Sequence, residues 1–233
     1  MAGLQTIINK ASSLNIDRRK VVGVQITRNE IPRTSLTPTK QPWRFTLSMP
    51  ASLKYYNNRD LLETLDTLDR YTPEYVTFSA NSCLSWIFAY QGSMSQTMIN
   101  NITVTSFTGN QLVLGNLPVL PSTRVLFEPN DLIQIGNYKF PFTSTTQVLR
   151  GSNSTVTVTT NRPNIISDPN NTQPWVGDNI TVGNACEFYM FCPNMPTYKL
   201  IPGGYTASNG TTLNNALIEF SDSFTLYEWV GAA

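Results

Sequence analysis

The sequence predicts an all-β protein with one good interior helix and, from about 100 onward, a small barrel or sandwich of short strands. Three observations carry this expectation. Short runs of alternating apolar and polar residues recur through most of the chain. The interior holds a single run with strong helical spacing, at 59–70. Turn residues crowd the stretch from about 100 to 165, which sets short strands close together. At 233 residues the chain suits one large β domain or two small ones.

Leu4, Ile7, Ile8, Ala11 and Leu14 fall at helical spacing and give a short amphipathic arm over residues 1–20, ahead of the charged step Asp17-Arg18-Arg19-Lys20. Its apolar stripe either closes over the chain's own core or docks on another chain. Residues 21–28 read as a strand with Val22, Val24 and Ile26 on one face. Residues 29–42, with Pro32 and Pro38, read as a loop or hairpin arm. Residues 43–49 alternate again through Trp43, Phe45, Leu47 and Met49. The helix at 59–70 has Asn57 or Asn58 to cap it, and Leu61, Leu62, Leu65 and Leu68 on its apolar face. Asp60 and Arg70 suit the helix dipole, and Pro73 ends the helix. Glu63, Asp66 and Asp69 on the opposite side read as a solvated face rather than a metal cluster. Strands follow at 75–79 and 84–90, joined by the turn Ala80-Asn81-Ser82.

From 100 onward the texture is that of a small barrel or sandwich. Residues 102–107 and 111–115 form a hairpin across Thr108-Gly109-Asn110. Short extended pieces follow at 124–127, 132–135, 138–150 and 154–161, separated by Pro129-Asn130-Asp131, Gly136-Asn137 and Gly151-Ser152-Asn153. Residues 163–177, rich in Pro, Asn, Asp and Thr, read as a surface loop or linker. The last third returns to strands at 185–191, 198–201, 216–220 and 224–230, with an exposed loop at 202–209.

Composition excludes several function classes. The chain has no histidine, so Ser-His-Asp and Cys-His nucleophile systems cannot be built. Glu74, Asp131, Glu187 and Glu219 are candidates for a paired-carboxylate site, whose separation of roughly 5–9.5 Å is a matter of the fold and not of the sequence. No GxxxxGK[ST] or GxGxxG motif occurs. Cys83, Cys186 and Cys192 form an odd set without a CxxC pair and read as buried free thiols, so no metal and no cofactor are expected. The 16 basic and 15 acidic residues nearly cancel, which argues against a dedicated duplex-DNA binder and fits either a surface covered by neighbours or an ordinary neutral protein. No apolar run is long enough to span a membrane, and the first residues lack a secretory pattern. Synthesis in a reducing cytosol is therefore expected. On that footing the Asn-x-Ser/Thr triplets at Asn101, Asn153, Asn170, Asn179 and Asn209 reflect composition rather than glycosylation. Aromatic residues near turns, among them Tyr138, Phe140, Phe142, Trp175, Tyr198 and Tyr205, serve either as a stacking platform for sugars or bases, or as core and interface packing.

Two stretches carry a resemblance. The first runs Glu128-Pro-Asn-Asp-Leu-Ile-Gln-Ile, Tyr138-Lys-Phe-Pro-Phe-Thr, Val148-Leu-Arg-Gly-Ser and Val156-Thr-Val-Thr-Thr-Asn-Arg-Pro. It resembles a small β module of tailed-bacteriophage structural proteins. The second is Met195-Pro-Thr-Tyr-Lys-Leu-Ile-Pro-Gly-Gly-Tyr with Asn214-Asn-Ala-Leu-Ile-Glu-Phe and Phe224-Thr-Leu-Tyr-Glu. It is similar to the terminal segment of phage tail and baseplate proteins, of the tail-tube-initiating or distal-tail kind. About half of the chain takes part.

The resemblance implies a tail-tube-like β-sandwich formed by 21–99 and 184–233, with the helix at its flank, and an inserted β module with linker at 100–183. It implies a non-enzymatic virion part, a hexameric ring at the junction of tail tube and baseplate. Its partners would be copies of itself and the neighbouring tail proteins, with DNA only as transient cargo in the lumen and no membrane. The arm at 4–14 and the loop at 29–42 would clasp adjacent subunits. The expected contact residues are Leu4, Ile7, Ile8, Arg33, Tyr138, Phe140, Phe142 and Trp175. The competing class is a carbohydrate-binding β-sandwich for receptor recognition.

Overall fold

Residues 3–18, 22–26, 32–36, 42–51, 53–68, 72–166, 173–206, 208–214 and 216–229 are described by a computed structural model. Short antiparallel strands dominate them, with three helices: α1 (Gly3–Lys10), α2 (Arg59–Thr67) and the single turn α3 (Gln96–Ile99). The all-β expectation therefore holds. The chain divides into two units. The first comprises Met1–Ile16, Arg44–Ile87 and Phe188–Trp229, and the second comprises Asp17–Trp43 and Phe88–Glu187. The sequence placed the divisions near 99 and 184 and grouped 21–43 with the sandwich. Hydrogen bonds explain the difference. Arg18 donates to Thr143 Oγ1 at 2.8 Å, and Trp43 Nε1 donates to the Pro141 carbonyl at 3.2 Å, which ties both ends of 18–43 to the second unit.

In the first unit a five-stranded sheet has the order Ser13–Asp17, Arg44–Ser48, Phe224–Glu228, Phe188–Phe191, Glu74–Val76. Register aligns Phe45 with Leu226, Leu47 with Phe224, and Phe188 with Val76, so period-2 alternation gathers these side chains on one buried face. Phe45, Phe78 and Phe188 meet edge to face in all three pairings, with centroids 5.1 to 5.9 Å apart. Each such pair is worth about 1 kcal/mol beyond the area it buries.

Helix α1 belongs to this core and is not a free arm. Leu4, Ile7 and Ile8 are buried, and α1 touches both α2 and the Glu74–Val76 strand. Backbone chemistry fixes it there. The Leu4 N–H, which has no partner within the helix, donates to Glu74 Oε2 at 2.8 Å. The Gln5 amide pairs with Thr77 like an added strand residue, donating to its carbonyl and accepting from its N–H, both at 2.8 Å. Helix α2 follows the predicted pattern, with Leu61, Leu62 and Leu65 buried and Asp60 in its first turn. Asn58 stands at its N-terminus, but the side chain bonds backward to the Lys54 carbonyl instead of capping the helix. The helical assignment ends at Thr67; Asp69 and Arg70 lie outside the described residues.

The strand expected at 84–90 is a series of turns. Asn81 Oδ1 accepts from the N–H groups of Cys83 and Leu84, and the Asn81 carbonyl accepts from Ser85, which bends the backbone away from an extended path. A second sheet pairs Tyr198–Ile201 with Leu217–Phe220, and the latter with Leu53–Lys54. The loop expected at 202–209 contains a strand, Gly204–Thr206, which forms a hairpin with Thr212–Asn214.

The second unit contains a closed ring of strands. One sheet has the order Val156–Thr159, Gln111–Gly115, Thr103–Thr108, and another the order Phe142–Thr143, Leu132–Ile135, Ile180–Val182. Isolated bridges Thr103↔Asn179 and Ser144↔Thr160 join them at both ends, so the order returns to its start as a six-stranded barrel. Inside lie Val104, Phe107, Leu112, Leu114, Ile133, Ile135, Phe142, Val158, Ile180 and Val182. A bulge between Val104 and Ser106 lets Val104 and Phe107, three apart, share one face. Gly136 turns the chain at φ +47°, where an added Cβ would lie 2.5 Å from Asp178 Oδ2.

Also in the second unit, Val125–Phe127 pairs with Val148–Leu149, and Val22–Ile26 pairs with Pro32–Leu36 as a hairpin. The hairpin answers the expectation of a strand at 21–28 and an arm at 29–42; residues 27–31 and 37–41 lie outside the described residues. Arg162 is fully buried. Its Nη2 donates to the Pro141 carbonyl at 2.9 Å, and its guanidinium lies 5.2 Å from the centre of the Phe142 ring.

Candidate assembly surface

The residues expected at a subunit contact are mostly interior. Leu4, Ile7 and Ile8 lie in the first unit's core, and Phe140, Phe142 and Trp175 in the second's. A side chain enclosed by its own fold has no surface left for a neighbour, so these six are packing residues. Tyr138 is half-buried against the second core, and the Arg33 side chain lies outside the described residues.

The four acids considered for catalysis each hold a structural partner. Glu74 accepts the Leu4 N–H, and Glu219 pairs with Lys199 at 2.8 Å. Glu187 is ion-paired with Lys139, and its N–H donates to Gln134 Oε1 at 2.6 Å. Asp131 is buried and accepts backbone N–H groups from Gln91 at 3.0 Å and Glu128 at 2.8 Å. Burial pushes its carboxyl above the usual range, while those two hydrogen bonds act against the shift. Cys186 and Cys192 are buried, as expected, and burial pushes the Cys186 thiol upward; Cys83 is exposed instead. On α2, Glu63 and Asp66 are exposed, in keeping with a solvated face. Among the described residues no group of three potential ligands could hold a metal ion, and no described helix is long and apolar enough to cross a membrane.

The feature that stands out is on the outer face of the five-stranded sheet. With Phe188, Met190, Phe224 and Leu226 turned inward, alternation turns Tyr189, Phe191, Thr225 and Tyr227 outward. Tyr75 lies opposite Tyr189, and their rings stack with centroids 4.7 Å apart. Phe191 lies opposite Tyr227 and meets Trp229 edge-on at 5.5 Å. Arg44, opposite Tyr227, places its guanidinium 5.6 Å from that ring. Tyr75 is 53% exposed and Trp229 39%. A row of rings thus crosses three adjacent strands on a face with no described core of its own.

The sequence places Tyr75, Tyr189, Phe191, Tyr227 and Trp229 in strands expected at 75–79, 185–191 and 224–230, but singles out none of them as a contact residue. The signal was present in the pairs Tyr189/Phe191 and Tyr227/Trp229, each two residues apart. What it lacked was the order of strands, which sets residues 75, 189 and 227 side by side.

Compared with known proteins, the chain matches no family model and no curated protein.

Proposed function

We propose that this chain is a non-enzymatic structural subunit of a tailed-phage virion, forming a hexameric ring where the tail tube meets the baseplate. The observation that supports this reading is the row Tyr75, Tyr189, Phe191 and Trp229, on a sheet whose opposite face is already filled by its own core. Tyr, Trp, Phe and Arg are the residues that concentrate at the centres of protein interfaces. A contiguous aromatic face on a monomer marks a place where another protein sits.

Head-to-tail contacts between unlike surfaces of identical copies close a ring when each turns the next by roughly 60°. In this reading the aromatic row of one copy is covered by the next. The ring joins tube to baseplate, and DNA passes through its lumen as transient cargo. Near-neutral net charge suits a channel that must not grip phosphates. The chain is made in the host cytoplasm and ends in the virion.

Sedimentation of the purified chain, alone and with neighbouring tail proteins, tests the proposal. Ring-sized species that Tyr189→Arg and Trp229→Arg abolish, with the fold intact, are the expected result. Monomers in every mixture would overturn it.

A further inference from the structure

We propose that the first unit also carries a groove for a neutral oligosaccharide, beside the aromatic row. Three recesses adjoin along residues 193–199 and 219–223. The largest, about 490 Å3, is lined by Asn194, Thr197, Ser221, Asp222, Ser223 and Tyr227, among others. It shares Thr197 and Ser221 with a second recess of about 340 Å3, walled by Tyr198 and Phe220. It shares Asp222 and Ser223 with a third of about 270 Å3, again beside Phe220. The two larger recesses fall within the roughly 300–1,000 Å3 of small-molecule sites, and together the three suit a chain of a few sugar rings.

The lining chemistry selects the ligand class. Hydroxyl groups that both donate and accept, and carboxylates that accept, stand next to aromatic rings in each recess, and the largest adds the Asn194 amide. A pyranose offers the complement, a rim of hydroxyls and a face of C–H groups. Formal charge in the groove cancels, since Arg44 and Lys199 stand against Asp222 and Glu219, and Lys199 is already paired with Glu219 at 2.8 Å. An anionic or cationic ligand would therefore gain little. Where the two larger recesses join, Thr197 Oγ1 donates to Ser221 Oγ at 3.1 Å, and both residues are exposed, so their remaining hydrogen-bonding capacity faces the groove. The second recess is lined by both strands of a pair, with Tyr198 opposite Phe220. A peptide strand added along the open edge at Tyr198–Ile201 would not fill it. The inference rests on the recesses alone and is independent of ring formation.

The test uses the full chain with cellohexaose, chitohexaose and a strand-forming hexapeptide as probes, followed by NMR. Saturable binding of at least one hexasaccharide below about 5 mM is expected, with the amide signals of Thr197 and Ser221 to Ser223 shifting. Thr197→Arg, which fills the junction of the two larger recesses, and Asp222→Ala, at the junction with the third, should each weaken binding about tenfold or more. Binding of neither sugar at that concentration overturns the proposal. So do shifts confined to other residues, wild-type affinity in both folded variants, or binding of the peptide alone.

Discussion

The side-chain amide of Asn81 donates to the Ala11 carbonyl across 3.0 Å, joining positions 70 residues apart in the chain. The same Nδ2 donates to the Ile8 carbonyl, so one amide satisfies two carbonyls at the end of α1. Its Oδ1 accepts from Cys83 at 2.7 Å and Leu84 at 2.8 Å. All of this happens at a residue only 1% exposed. Asn81→Ala would leave buried donors and acceptors without partners, at a cost of about 3 kcal/mol. Asn81→Asp keeps the acceptor but turns an anion toward two carbonyls, and should be at least as damaging. Thermal melts of the two variants check this.

Gly136 and Gly109 separate backbone strain from crowding. Both have positive φ, +47° and +57°, but only at Gly136 does an added Cβ meet a neighbour, Asp178 Oδ2 at 2.5 Å. Gly109→Ala should cost only the left-handed penalty of about 1 kcal/mol. Gly136→Ala should cost that and a displacement of Asp178, about 2–3 kcal/mol together. Denaturant midpoints of the two variants measure the difference, and equal losses would contradict the geometry.

Tyr90 gives a prediction in pH. Its hydroxyl donates to the Leu126 carbonyl and accepts from the Met94 N–H at 3.3 Å. Burial, first of all, raises the phenol from 10.0 to about 12. Because the folded value lies above the unfolded one, the folded state holds the proton longer. The associated stability is complete below pH 10 and is lost as pH rises toward about 12. Tyr90→Phe should remove that portion of the alkaline loss while leaving the shape of the acid limb unchanged, read from melting temperature against pH.

The sequence made the hairpin at 102–115, the strand at 132–135 and helix α2 legible because each depends on neighbours close in the chain. Alternation, Gly109 and the Leu61, Leu62, Leu65 spacing are all local signals. Barrel closure was not legible, since it depends on two single bridges, Thr103 to Asn179 and Ser144 to Thr160. The location of α1 was open for the same reason. Its stripe of Leu4, Ile7 and Ile8 suits any apolar partner, and the bonds of Leu4 to Glu74, Gln5 to Thr77 and Asn81 to Ile8 and Ala11 fix which one. Arg162, between the strand expected at 154–161 and the loop expected at 163–177, is fully buried because Pro141 and Phe142 receive its guanidinium.

On the aromatic row, single changes should spare the folded chain. Tyr189 and Trp229 face outward, so Tyr189→Arg and Trp229→Arg should each cost about 1 kcal/mol, the loss of one ring contact apiece. Phe188→Ala, one residue from Tyr189 but on the inner face against Phe45 and Phe78, should cost about 3–5 kcal/mol. Chemical denaturation of the three variants tests the assignment of faces.

The central claim is that copies of this chain dock on one another through that row, and Trp229 reports on it directly. Imaging of the chain assembled with its tail neighbours, together with quenching of Trp229 by a soluble quencher in a Trp86→Phe background, since Trp86 is the other strongly exposed tryptophan, measures both the ring and the burial of its contact. The account predicts closed sixfold rings in which Trp229 is shielded, and their loss in Tyr189→Arg. Rings that form equally well in that variant, or a Trp229 that stays as open to quencher in the assembly as in the monomer, would contradict it.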